Sequence, residues 1–307
     1  MHSTHAVAPP ARFDVTPVTF GDPDTPLRGT LYMPLGAADA PAVVLGHGWG
    51  MVAGGDLEDY AKVIAARGIA ALTFDFRRLG KSGGEPRQEL DPFDQIEDYR
   101  NAITFLDGQD GVAAGRIGIW GSSYSGGHVL VVGATDSRVR AVVSQVPTIS
   151  GYAAGLRKTA PDRLAALHER FHEDRAARLR GDAPTMITSV SSDPDAPVAY
   201  PGPDSHGYMI GQSERCPEWR NETTLKSLEL ARTYEPGAWI DRIGPKALLM
   251  IVASADKQTP TDLQLAAFNR ALEPKRLELL DGGHYRAYTE EFERTSTAAA
   301  EWFAEHL

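Results

Sequence analysis

The stretch RIGIWGSSYSGGH, residues 116–128, decides how the rest of the chain is read. Arg116 to Trp120 is short and mostly apolar, which suits a buried strand. A turn of small residues follows at once, and a helix is expected to start near Tyr124. A strand that passes so abruptly into a helix leaves one side chain, Ser123, pointing out of the sheet. Such a turn is tight, so the residues two before and two after the apex must be small. Gly121 and Ser125 both are. The pattern is close to the G-x-S-x-G nucleophile elbow, with serine in the last place instead of glycine. A plainer reading is that small residues simply let a helix pack on a strand.

Outward from this turn, strands and helices alternate. Phe13 to Phe20 and Leu27 to Met33 read as two strands about a Gly-Asp-Pro-Asp turn. Ala42 to Leu45 and Ile69 to Phe76 are apolar enough for buried strands. Between them, Leu57, Tyr60, Val63 and Ile64 share a helix face that Gly68 ends. Asp91-Pro92 caps another helix, with Ile96, Tyr99, Ile103 and Leu106 as its stripe. Val139 to Val146, Ala247 to Ala253 and Arg276 to Leu280 continue the strands. A helix from Thr289 to His306 closes the chain, with Phe292, Ala299, Trp302 and Phe303 inward. This order predicts an α/β fold with a mostly parallel central sheet and helices on both faces.

The alternation stops between residues 149 and 234. A charged helix is expected from Pro161 to Gly181, with Leu164, Leu167, Phe171 and Leu179 inward and Asp174 and Arg178 solvated. The Pro-, Ser- and Asp-rich run SSDPDAPVAYPGPDS follows, then a helix near Glu222 to Ala231. The expected organisation is therefore a core of residues 1–148 and 235–307, with 1–11 as a loose tail. Residues 149–234 form an inserted helical cap.

A serine needs a base to take its proton, and the base needs a carboxylate to orient it. Asp256 follows the strand Ala247 to Ala253, and His284 follows the strand Arg276 to Leu280. Both fall where ligands bind at the carboxyl edge of such sheets. The order Ser123, Asp256, His284, each after its own strand, marks these three as the candidate catalytic triad. The glycine-flanked loop Gly46 to Gly50 supplies a candidate oxyanion hole, with the backbone N–H groups of Trp49 and Tyr124 as donors. His47 is expected to brace that loop.

Five segments carry a family resemblance: LGHGWG (45–50), TFDFRRLGKSGG (73–84), WGSSYSGGH (120–128), WRNETTLKSLEL (219–230) and LDGGHYRAY (280–288). In these the chain resembles α/β-hydrolases of the dienelactone-hydrolase-like group, nearest to the polyketide-transferase-like branch. The resemblance implies a serine acyl-enzyme that hydrolyses or transfers an ester, thioester or lactone, without a metal or organic cofactor. Dienelactone hydrolases themselves use cysteine, so Ser123 does not imply the dienelactone substrate. Acyl transfer, carbon–carbon hydrolysis and non-catalytic ligand binding are the alternatives on the same scaffold.

Composition sets the remaining bounds. The chain has 307 residues, of which 42% are hydrophobic, enough for a large core and too many for a disordered chain. Net charge −10 argues against nucleic-acid or anionic-membrane partners and says little about a small neutral substrate; the small-molecule acyl substrate is what the resemblance implies. A homodimer stays open. No apolar leader or spanning segment is evident, and one cysteine, Cys216, excludes a disulfide framework; a cytoplasmic location is expected. Gly48 to Ala53 matches G-x-G-x-x-A, with Asp75 ending the next strand, but two strands precede it and the triad stays unexplained. Asp75 and Arg77 are instead expected to pair and hold their loop. His168 to His172 matches H-E-x-x-H without a third ligand at a usual distance. In the cap, Trp219, Tyr208, Met209, Tyr152 and His206 are the candidate substrate contacts, His206 also as a rival base.

Overall fold

The computed structural model describes residues 12–307, so the expected tail, residues 1–11, lies outside it. In chain order the elements begin β1 (Phe13–Asp22), β2 (Thr25–Pro34), β3 (Ala40–Gly46), α1 (Asp56–Ala65) and β4 (Ala70–Asp75). They continue α2 (Pro92–Asp107), β5 (Val112–Ser122), α3 (Tyr124–Thr135) and β6 (Val139–Gln145). Next come α4 (Gly151–Lys158), α5 (Pro161–Leu179), β7 (Met186–Thr188), α6 (Pro203–Ser213), β8 (Glu222–Thr224) and α7 (Leu225–Arg232). The chain ends with β9 (Ala247–Ala253), α8 (Thr261–Arg270), β10 (Lys275–Leu280) and α9 (Phe292–His306).

Eight strands make one sheet in the order β1-β2-β4-β3-β5-β6-β9-β10. The β1–β2 hairpin joins β4 antiparallel, and every other pairing is parallel. Sequence explains the layout: β4 and β9 are buried along their whole length, as parallel strands covered on both faces must be. Leu57, Tyr60 and Ile64 of α1 pack with Ala299, Trp302 and Phe303 of α9 on one face. Ile96, Tyr99 and Ile103 of α2 pack with Val129 and Leu130 of α3 on the other. The Asp91 cap is present: its carboxylate accepts from the Phe93 amide at the start of α2.

This order also places the site. The chain steps from β3 outward to β4, then returns to add β5 on the opposite side of β3. Loops leaving the carboxyl ends of β3 and β5 therefore diverge, and a crevice opens between them. Gly46 and Gly121 face each other across that pair at its mouth.

Residues 149–234 differ from expectation in detail. Three-residue strands β7 and β8 pair as an antiparallel ribbon, too short to register as alternation. The Pro-rich run is not all loop, because Pro203 opens α6. Leu179 is 85% exposed at the end of α5, outside the stripe assigned to it. Asp174 is buried instead of solvated, held by the Thr185 amide at 2.8 Å and by Arg178, which also reaches Glu89. In the core, α8 was not anticipated, and α9 starts at Phe292 because residues 284–288 first form a 3-10 turn.

Candidate active site

Ser123 sits between β5 and α3 with φ 55° and ψ −111°, a backbone conformation that costs a residue with a Cβ about 1–3 kcal/mol. Neighbouring backbone pins it there. The Ser123 amide donates to the Gln145 carbonyl at 2.9 Å, and its carbonyl accepts from the Thr148 amide at 2.8 Å. A Cβ at Gly121 would lie 2.2 Å from the Ser125 carbonyl oxygen, so that position must be glycine. Ser125 is tolerated and adds a bond that glycine lacks. Its hydroxyl donates to the Gly46 carbonyl at 2.7 Å and accepts from the Ser122 amide at 2.9 Å, tying the elbow to β3. Gly126 fits the plainer reading, since a Cβ there would strike Gln145 and Pro147.

The three candidates from three different strands meet. His284 Nε2 lies 3.0 Å from Ser123 Oγ, and His284 Nδ1 lies 2.7 Å from Asp256 Oδ2. All three are buried. Asp256 Oδ1 accepts from the amides of Gln258 and Thr259 at 2.8 and 2.9 Å. The Thr259 hydroxyl lies 2.8 Å from both Asp256 Oδ2 and the Val146 carbonyl. Burial alone would raise the Asp256 carboxyl. The His284 charge and these hydrogen bonds outweigh it and hold the group below the usual carboxylate range.

The loop after β3 passes beside the serine: a Cβ at Gly48 would lie 3.7 Å from Ser123 Oγ. Trp49 is the next residue, and its ring meets that of Tyr124 edge-on at 5.0 Å. Tyr124 is the first residue of α3, so its N–H has no acceptor within the helix. His47 Nδ1 lies 3.0 Å from the Gly48 carbonyl, and burial lowers its pKa to about 4, so it stays neutral.

A cavity opens over Ser123. Tyr200, Tyr208 and Met209 line it from the 149–234 segment, and Asp56, Tyr285 and Tyr288 line it from the core. Of the five expected contacts, only Tyr208 and Met209 are on its wall. His206, two residues before Tyr208 on α6, is absent from the wall. Tyr152 is 63% exposed at the start of α4. Trp219 is buried in the apolar core and absent from the wall. Asp56 carried no spacing signal, because an acid in a first helical turn is ordinary. Tyr285 and Tyr288 lie beside His284 in the segment LDGGHYRAY.

The profile of the X-Pro dipeptidyl-peptidase (S15) family matches residues 24–170. A thiohydrolase of Aspergillus aculeatus is 34% identical over 82% of this chain and 80% of its own length. A polyketide transferase of Penicillium crustosum is 30% identical over 86% of this chain and 88% of its own. The chain belongs to the polyketide-transferase-like branch of the α/β-hydrolases. The α/β hydrolase GrgF of Penicillium sp. sh18 superposes with TM-score 0.82, covering 95% of this chain and 99% of that one at 28% identity. The protein is a hydrolase enzyme.

Other motifs of this hydrolase have structural occupations. The Asp75 carboxylate accepts from the amides of Ala53 and Lys81 at 2.6 and 2.8 Å, while Arg77 pairs with Asp98. Each braces a different loop, so the expected Asp75–Arg77 pair does not form. The G-x-G-x-x-A stretch ends before α1 begins at Asp56, so its glycines do not open a helix. His172 is exposed on α5, and among the described residues no three metal-ligating side chains converge. His128 is fully buried between Tyr234 and Gln95. Burial raises the Cys216 thiol to about 11, which leaves it unreactive. Among the described residues no helix is long and apolar enough to cross a membrane.

Asp56 supplies a pH-dependent prediction. Burial pushes its carboxyl up to about 6, against the pull of the Tyr208 hydroxyl bonded to it. A carboxyl raised above its unfolded value of about 3.9 favours folding only while protonated. Its contribution is full below that value and is lost as pH rises through about 6. Asp56→Asn is therefore expected to be more stable than wild type at pH 8, by about 1–2 kcal/mol in urea unfolding, and equal to it near pH 4. A less stable variant at pH 8 contradicts the assignment.

Proposed function

We propose that this hydrolase cleaves a carboxylic thioester, ester or lactone through an acyl-enzyme on Ser123. The observation that carries the reading is His284, within hydrogen-bond reach of both the Ser123 hydroxyl and the Asp256 carboxylate in a buried site. His284 Nε2 takes the hydroxyl proton as Ser123 Oγ bonds to the acyl carbon. The Trp49 and Tyr124 amides hold the oxyanion that forms. Asp256 keeps Nδ1 protonated and stabilises the imidazolium. The imidazolium then protonates the leaving sulfur or oxygen as its bond to carbon breaks. Water enters, gives a proton to His284 and attacks the acyl carbon; as the bond from that carbon to Ser123 Oγ breaks, His284 returns the proton to Oγ, releasing the acid and free Ser123. Thioesters come first because a close relative is a thiohydrolase. Residues 149–234 act as a cap on this reading, since Tyr200, Tyr208 and Met209 from that segment line the cavity.

Acyl transfer is the second reading. It draws on the polyketide transferase relative and on a cavity walled largely by aromatic side chains, which favours a bound alcohol over water. Product analysis on acyl thioesters, with and without an acceptor alcohol, separates the two. Free acid at an unchanged rate in both reactions supports hydrolysis. Ester formed at the expense of acid supports transfer, and no turnover of thioester, ester or lactone contradicts both.

A further inference from the structure

Among the described residues Asp56 is the one acid on the wall of the cavity over Ser123, and no lysine or arginine lines that wall. Its carboxylate makes no ion pair among those residues; Arg215, close by, pairs with Asp59 instead. Oδ2 accepts from the Tyr208 hydroxyl, while Oδ1 receives no side-chain donor among the described residues. A carboxylate offers about four acceptor sites, so most of this one's capacity is unused. Burial makes its charge costly until a donor arrives.

A buried donor without an acceptor lines the same cavity. Asp56 opens α1, and Tyr60 lies one turn further along the same helix face. The Tyr60 ring packs on that of Trp120, with centroids 4.7 Å apart. Trp120 is 1% exposed and lines the cavity, and its indole N–H has no acceptor among the described residues. Native proteins seldom leave a buried N–H in that state without a ligand or water to take it. The cavity is small, about 30 Å³. One ordered water needs roughly 10–15 Å³, so the space suits a short chain. A hydroxyl group satisfies both wall residues at once, because its oxygen accepts from the indole and its proton goes to the carboxylate. A ketone has no proton for Asp56, and an ammonium has no lone pair for Trp120.

We propose that Asp56 and Trp120 select a short acyl chain bearing a hydroxyl group, which donates to the Asp56 carboxylate and accepts from the Trp120 indole N–H. The proposal rests on the reading that Ser123 takes up an acyl group from a thioester or ester. Tyr208 holds the carboxylate from the 149–234 segment. Neither Asp56 nor Trp120 makes or breaks a bond; both determine specificity. The bond to a carboxylate is charge-assisted and so stronger than one between neutral groups. A site built this way rejects the analogue that lacks the hydroxyl, because its own polar groups are then left unpaired.

The test compares the N-acetylcysteamine thioesters of 2-hydroxybutyrate, 3-hydroxybutyrate, 3-aminobutyrate and butyrate at pH 8. Each kcat/KM is divided by the probe's rate of hydrolysis by hydroxide, which removes differences in intrinsic reactivity. The better hydroxyacyl probe is expected to exceed butyryl about tenfold or more. Asp56→Leu and Trp120→Phe should each lower that ratio about threefold or more. A merely structural role would slow both probes alike and keep the ratio. Asp56→Asn, which preserves the shape, reads the same ratio if Asp56→Leu fails to fold. A wild-type ratio near one, a ratio that survives the change at either residue, or a preference for the aminoacyl probe over both hydroxyacyl probes overturns the proposal. Turnover of butyryl with a ratio near one removes the hydroxyl site and keeps the acyl-enzyme reading. If wild type turns over none of the probes, they are titrated into Ser123→Ala protein. Tighter binding of a hydroxyacyl probe there keeps the hydroxyl site and removes the acyl-enzyme reading, and equal binding removes both.

Discussion

Ser123→Ala is expected to lower kcat by about 10⁶-fold while leaving the fold intact, by analogy with nucleophile removal in serine proteases. Alanine keeps the Cβ, so the strained backbone at φ 55° gains no new clash. Among the described residues the hydroxyl's only side-chain hydrogen bond is to His284, so unfolding free energy should change by about 1 kcal/mol at most. Activity and stability are thereby separable at this position. A loss of about tenfold or less places the nucleophile elsewhere. An unfolded variant is not anticipated, because the bonds that pin the elbow are made by its backbone and by Ser125.

Asp256→Asn carries the second large effect, about 10⁴-fold in kcat by the triad precedent. Here the surroundings dictate which way the amide turns. Two backbone N–H groups, from Gln258 and Thr259, point at Oδ1. The asparagine oxygen must take that position, which leaves its NH₂ facing His284 Nδ1. His284 then has to accept at Nδ1 and carry its proton on Nε2, toward Ser123. In that tautomer it cannot act as a base. An unchanged kcat moves the orienting acid to another residue.

The meeting of the three candidate triad residues was legible because each follows an apolar strand and so falls at the same sheet edge. The elbow was legible from residue size alone, and the 2.2 Å approach at Gly121 is the contact behind that pattern. Ser125 in the last position is more than a tolerated departure, because its hydroxyl ties β5 to β3. What surrounds the triad was not legible. Thr259 acts through one hydroxyl placed by the loop after β9, and Asp56 looked like any acid opening a helix. Tyr200 lies in a Pro-rich run with no periodicity to show its direction. Contacts between residues 149–234 and the core depend on how the two segments meet, and spacing within either carries no record of it. His206 shows the consequence: its chemistry suits a base, yet α6 gives the cavity wall Tyr208 and Met209 and not His206.

The activated serine is the central claim, and intact mass after treatment with a fluorophosphonate tests it most directly. Wild type is expected to gain one adduct, and Ser123→Ala, folded to the same degree, is expected to gain none. An adduct of the same yield on the Ser123→Ala protein, or none on folded wild type with even the smallest probe, contradicts it.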